Sequence, residues 1–193
     1  QVLPRFAATT DPHELAKGIV ADFAAASASE FENGTTLAAI DLREIAAVAR
    51  ALDGFAHACM PAMEQQWKSF ARALFFAEAY QARPHRMAAG GPRSVDLLDT
   101  VTRFAKSTPE FPAGLQLAVL EKAVAAAVFA VHRGESRRLS TGLSIFGPIG
   151  VRQFNAAYPR TWFGAGNAWT ALLVATLLHA EAMEDEVRVD EIT

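Results

Sequence analysis

The sequence predicts a mainly helical chain that contains two or more buried β-strands. Over most of its 193 residues, alanine-rich segments carry larger apolar residues at steps of three and four, the repeat of a helix with one buried face. Two short runs depart from that repeat, residues 36–42 (Thr36-Leu-Ala-Ala-Ile-Asp-Leu42) and residues 139–146. Both are nearly continuous in apolar character over strand length, as in strands covered on both faces. A two-stranded ribbon is weak by itself, and buried backbone groups need partners. The two runs are therefore expected to complete a larger sheet whose other strands lie on polypeptide outside these residues.

Asp11-Pro12-His13-Glu14 opens the first helix. Asp11 can cap it, Pro12 fits the first helical position, and Glu14 stands where a capping box places a carboxylate. Leu15, Ile19 and Phe23 mark its inner face, and it should fade near Ser27. Residues 30–35 turn the chain into the first strand. Asn33-Gly34-Thr35 reads as an Asn-Gly turn or, formally, as a glycosylation sequon. From Asp41 a helical stripe runs through Ile45, Val48, Leu52, Phe55, Cys59 and Met63. Pro61 interrupts it, giving two helices or one kinked helix, and Trp67, Phe70 and Leu74 carry the stripe on toward Tyr80.

Residues 81–94, with Gly90-Gly91-Pro92 and the arginines Arg83, Arg86 and Arg93, form an exposed loop open to cleavage. A helix follows over 95–106, with Leu97, Leu98, Val101 and Phe104 inward. Prolines break the chain at 107–114, and another helix covers 115–131. Residues 134–138 turn into the second strand, 147–150 end it, and 151–166 are irregular. The last helix covers 168–183, before an acidic tail that frays.

Half of the residues are hydrophobic, which suffices for a core, and residues 1–193 read as a single region. The net charge is −3 and the basic residues are scattered, so no stripe argues for nucleic acid. The longest nearly uncharged apolar stretch, 165–178, is too short to cross a bilayer. The first residues carry no secretory signal pattern, and Gln1 in place of methionine reads as a start that has been cut, processed or left out of these residues. A lone cysteine excludes an internal disulfide framework and fits a reducing compartment. Alanine enrichment points to a GC-rich bacterial source, with the cytoplasm favoured over secretion.

Four segments recur in order: Asp11-Pro-His-Glu-Leu-Ala-Lys17, Thr36-Leu-Ala-Ala-Ile-Asp-Leu42, Val95-Asp-Leu-Leu-Asp99 and Gly142-Leu-Ser-Ile-Phe-Gly-Pro148. Followed by Tyr158, Trp162 and Trp169, this order resembles the C-terminal part of clostripain-like cysteine peptidases, relatives of caspases and gingipains. The fourth segment is close to the family's Gly-Leu-Ser-Ile-Tyr-Phe-Pro, with Phe146 in place of Tyr and Gly147 in place of Phe. The resemblance implies a helical C-terminal region that completes a caspase-like α/β sheet. It implies an endopeptidase that cuts protein or peptide substrates after Arg or Lys. The family's catalytic pair is a histidine followed by glycine and a cysteine in an Asp-Ala-Cys-Leu-Met-like segment, both upstream of the matched region. No histidine here precedes a glycine. The resemblance therefore implies a chain without catalytic residues, whose partner is the upstream catalytic chain of the same peptidase. No cofactor is implied, and a calcium requirement is not written in these residues.

The chemistry-bearing side chains agree with that assignment. Cys59 and His57 superficially echo a dyad, but on a helix residues two apart do not meet, and Cys59 falls on the inward stripe. A buried thiol has a raised pKa and is inert. His13 is expected in a solvated first helical turn, His85 in the arginine-rich loop, and His132 and His179 near helix C-termini. No histidine or cysteine pair has metal-ligand spacing. Trp162, Phe163 and Trp169 read as core or as the lining of a pocket. Asp96 and Asp99 read as acids of a first helical turn or as a paired site, and Asp41 as a cap for the helix that follows. Arg83, Arg86, Arg93, Arg137 and Arg138 read as solvated charges and as candidate self-cleavage sites. Three readings follow: a non-catalytic peptidase subunit, a self-standing helical binding or regulatory module, and an independent thiol enzyme built on Cys59.

Overall fold

The computed structural model describes residues 11–30, 34–80, 93–108 and 114–190. The expected loop therefore lies outside the described residues except for Arg93 and Ser94, and so do Asn33, Arg83, His85, Arg86 and most of the proline-containing break after Ser107. The chain runs α1 (Pro12–Glu30), β1 (Thr36–Ile40), α2 (Ile45–Cys59), a 3-10 turn (Met60–Ala62) and α3 (Met63–Phe76). Then come β2 (Ser94–Asp96), α4 (Leu97–Ser107), α5 (Gly114–Ala127), β3 (Val128–Arg133) and β4 (Ser144–Phe146), and finally the short α6 (Trp162–Ala165) and the long α7 (Trp169–Asp190). The described residues are mainly helical, with two small antiparallel sheets of two strands each.

The core follows the predicted stripe. Val48, Leu52, Phe55, Cys59 and Met63 are buried along α2 and the turn after it, and Phe70 and Leu74 continue the line on α3. Pro61 cannot supply an amide to a continuous helix, and the chain answers with a 3-10 turn between two α-helices. Phe70 sits at the centre, edge-on to Phe104 of α4 at 5.2 Å and to Trp169 of α7 at 5.4 Å. Leu97, Val101 and Phe104 are buried as expected, and Leu172, Leu173 and Leu177 bring α7 onto the same core. The α7 helix continues through Asp190, past the expected end, because no Gly or Pro interrupts a run of good helix formers.

The strands differ from expectation in three ways. First, residues 128–131 belong to β3 and not to the preceding helix: α5 ends at Ala127, Val128, Ala130 and Val131 pair with β1, and Phe129 is passed over where the register shifts. Branched and aromatic residues favour that choice once a partner strand is present. Second, Val95 opens no helix; it lies in β2, and Asp96 caps α4 by accepting from the Asp99 amide at 3.0 Å. Third, the second expected strand shrinks to Ser144–Phe146 and pairs with β2, so the two predicted runs belong to different sheets.

The two sheets also end differently. Beside β2, on the side away from β4, Glu78 accepts from the Asp96 amide at 2.7 Å and the Tyr80 amide donates to Ser94 at 3.1 Å. The outward carbonyl of Phe146 on β4 accepts from the Trp169 indole at 3.0 Å. The β2 flank of this sheet is thus paired, and on the β4 flank the Phe146 carbonyl is engaged. In the other sheet, the Gly134 amide donates to Thr35 at 2.8 Å and the Asp41 amide donates to Ala127 at 2.8 Å. Antiparallel pairs alternate in bonding, so Leu37 and Ala39 spend their main-chain groups on β3. The main-chain groups of Thr36, Ala38 and Ile40 point the other way, and among the described residues nothing bonds to them.

Candidate functional site

The thiol lies where the stripe placed it. Cys59 is fully buried, and burial pushes its pKa up to about 12. His57 faces outward, 69% exposed, with Nδ1 3.0 Å from the Asp53 carbonyl and 3.4 Å from the Asp53 carboxylate. The structure keeps the two side chains apart, on opposite sides of α2.

The other histidines are divided among unrelated surroundings. His13 is only half exposed: its ring lies flat on Phe129 of β3 at 4.4 Å, and Nε2 is 3.4 Å from an Asp41 oxygen. Arg43 bonds the same carboxylate at 2.6 Å and holds the Asp41 pKa well below the usual carboxylate range. Asp41 also accepts from the Arg43 amide, so it organises the turn before α2, while Glu44 occupies the cap position without bonding it. His132 is on β3, not at a helix end, edge-on to Phe23 of α1 at 5.8 Å. His179 is in the interior of α7, stacked on Trp67 at 6.0 Å. Among the described residues no group of three His, Cys, Asp or Glu side chains converges as a metal site would.

Two arginines correct the expectation of solvated charge. Arg93 is 2% exposed. Its guanidinium donates to Leu74 at 2.6 Å, to Phe75 at 3.0 Å and to Gly147 at 3.2 Å. The first two are carbonyls at the end of α3, which have no partner within the helix and favour a cation. Burial pulls the Arg93 pKa down. Arg137 is half-buried, pairs with Glu78 at 2.8 Å and also donates to the Ala79 carbonyl. Arg138 stays exposed beside Glu135.

The most developed polar cluster was only partly legible in the sequence. Asp96 is fully buried and accepts from four donors: the Asp99 amide, the Tyr80 hydroxyl at 2.6 Å, the Thr141 amide and the Thr141 hydroxyl at 2.8 Å. The Tyr80 oxygen is also 2.6 Å from Ser140 Oγ, and burial, with the Asp96 carboxyl beside it, pushes the Tyr80 pKa up. Asp99 turns away to the Glu78 amide and to Arg103, so the two acids share a helix start without forming a paired site. Nothing in local spacing announces Tyr80 and Ser140, which are 60 positions apart.

This cluster forms one wall of a groove. A cavity of about 230 Å³ is lined by Tyr80, Ser140, Gly142 and Ser144 on one side and by Thr36, Leu37, Ala38, Ile40 and Val131 on the other. Gly142 has φ +100, and a Cβ there would lie 2.9 Å from Val128 and 3.0 Å from Ala38, so its lack of a side chain lets this wall rest on the sheet. A second cleft of similar size lies between α2 and α6, bounded by Arg50, Asp53, Trp162, Phe163 and Asn167. Trp162 is 76% exposed at its rim, whereas Trp169 is wholly core.

Fold and site together define a mainly helical protein with two small antiparallel sheets, one of which, among the described residues, has no main-chain partner along the outer side of β1, and with its lone thiol buried. Comparison with protein-family models, with curated proteins and with solved structures finds no match.

Proposed function

We propose that this chain is a non-catalytic region or subunit of a clostripain-like cysteine endopeptidase that cuts after Arg or Lys. Its role is to complete and brace a caspase-like sheet whose upstream strands carry the reactive cysteine and histidine. The observation that carries this reading is the uncharged, unpaired outer edge of β1, a strand that needs a main-chain partner the described residues do not supply. The buried Cys59, on the opposite side of α2 from the exposed His57, supports placing the chemistry on that other polypeptide. A second reading, a self-standing helical binding module, is favoured by the β2–β4 sheet, whose β2 flank is paired with Glu78 and Tyr80, and by the continuous helical core around Phe70.

The test compares this chain alone with this chain joined to the polypeptide encoded immediately upstream, using peptide substrates with Arg or Lys before a fluorescent leaving group. The joined protein hydrolyses them, and Cys59→Ala leaves the rate unchanged. No hydrolysis by the joined protein overturns the proposal. Hydrolysis by the chain alone that Cys59→Ala abolishes moves the chemistry back to this chain.

A further inference from the structure

The cleft between α2 and α6 combines features that folding alone does not call for. Trp162 is left largely exposed on a short helix that is nevertheless firmly held. The Thr161 hydroxyl accepts from the Gly164 amide at 2.9 Å, and the Thr170 hydroxyl donates to the Gly164 carbonyl at 2.8 Å. The α2 wall is tied to the chain after α6 as well. The Asn167 side-chain amide donates to the Ala49 carbonyl at 2.8 Å, and Asp53 accepts from the Ala168 amide at 2.7 Å. The cleft is therefore preformed, and a ligand pays little to order its walls. Ala46, Ala49, Arg50 and Asp53 recur at helical steps along the part of α2 that lines it. The alanines leave room, and the two opposite charges stand one turn apart. Residues so placed commonly pair, yet among the described residues Arg50 has no ion pair or hydrogen-bond partner. Asp53 meets the Ala168 amide and His57 instead, and its side chain keeps 34% exposure.

We infer that this cleft binds a free α-amino acid with an aromatic side chain, its carboxylate on Arg50, its ammonium on Asp53 and its ring against Trp162. Charge complementarity carries the choice. An anion alone would have Asp53 as a repelling neighbour, and a cation alone would meet Arg50 in the same way. A zwitterion answers both. Its two charges sit on one carbon, and they match side chains that leave the helix about 5–6 Å apart at Cβ. An aromatic ring laid on the exposed indole removes apolar surface of both from water. The volume of about 230 Å³ falls below the roughly 300–1,000 Å³ of sites for drug-sized ligands and suits a smaller molecule. The inference goes beyond the peptidase-subunit reading and does not depend on it.

A heteronuclear NMR titration of the 193-residue chain with L-phenylalanine tests this. The Trp162 indole N–H, the Gly166 amide and the Asn167 side-chain amide should shift together and saturate at millimolar ligand or below. Phenylpropionate lacks the ammonium and phenethylamine lacks the carboxylate, so each should bind about tenfold more weakly. Arg50→Gln should weaken L-phenylalanine about tenfold while leaving phenethylamine no weaker, a split that a damaged fold would not give. Ala46→Phe, at an exposed helical position lining the cleft, should abolish the shifts while circular dichroism stays native. No saturable shift at these three groups overturns the inference. So does either analogue binding as tightly as L-phenylalanine, or binding unchanged by Arg50→Gln or by Ala46→Phe. A joined protein without peptidase activity overturns the subunit reading alone and leaves this site standing.

Discussion

Replacing Asp96 by Asn changes one atom in a sealed site, and the structure says what that atom does. All four groups that meet the Asp96 carboxyl approach as donors: two amides and two hydroxyls. An asparagine brings an NH2 group that faces donors whichever way the amide is flipped. The least costly choice turns the NH2 toward Tyr80 and Thr141, because the Tyr80 hydroxyl can redirect toward Ser140. The buried Thr141 amide then loses its acceptor, at about 1–3 kcal/mol, and the NH2 adds a second unmatched donor of similar cost. The sum is about 2–6 kcal/mol. Asp96→Ala also removes the α4 cap, worth about 1 kcal/mol more. For a chain of this length each kcal/mol lowers Tm by about 2–4 °C. Urea unfolding followed by circular dichroism should give these losses with an unchanged slope. An Asp96→Asn protein within about 0.5 kcal/mol of the parent would refute the four-donor description.

Other outcomes follow from the same structure. Arg93→Met should cost about 2–4 kcal/mol in thermal unfolding, because the terminal α3 carbonyls and Gly147 lose their donors; Arg93→Lys should recover less than half, since a single ammonium cannot span three carbonyls. Gly142→Ala should cost about 2–3 kcal/mol through the positive φ and the approach to Val128, measured by the same unfolding assay. Cys59 should resist iodoacetamide in the native state at pH 8 and react fully in urea. Its raised pKa also means that the folded state holds the thiol proton longer than the unfolded chain, so stability should decline as pH rises from 9 toward about 12. Native labelling at the rate of a free thiol would contradict that burial.

The helical part of the fold was legible because each helix buries one face. The Val48–Met63 stripe, the Pro61 interruption and the inward positions of α4 all lie where a period of three to four residues places them. The β3 strand was hidden because it follows α5 without an intervening turn, and alanines on both sides continue the helical composition. Only pairing with β1, some 90 positions earlier, makes Val128–Arg133 extended. Arg93 read as a loop charge because its partners are main-chain carbonyls, which leave no mark in sequence spacing. The Tyr80–Asp96–Ser140 cluster failed to show for the same reason: Asp96 was visible as an early-turn acid, but its other partners arrive through tertiary folding. The burial of Cys59 was readable because it falls on the inward stripe of α2, two residues from the outward His57.

The proposed subunit role is tested most directly by where an arginyl chloromethyl ketone attaches when this chain and the proposed catalytic polypeptide are present together. Peptide mapping by mass spectrometry should find the adduct on a cysteine outside these 193 residues, with Cys59 unmodified. An adduct on Cys59, or none on either polypeptide, would contradict it.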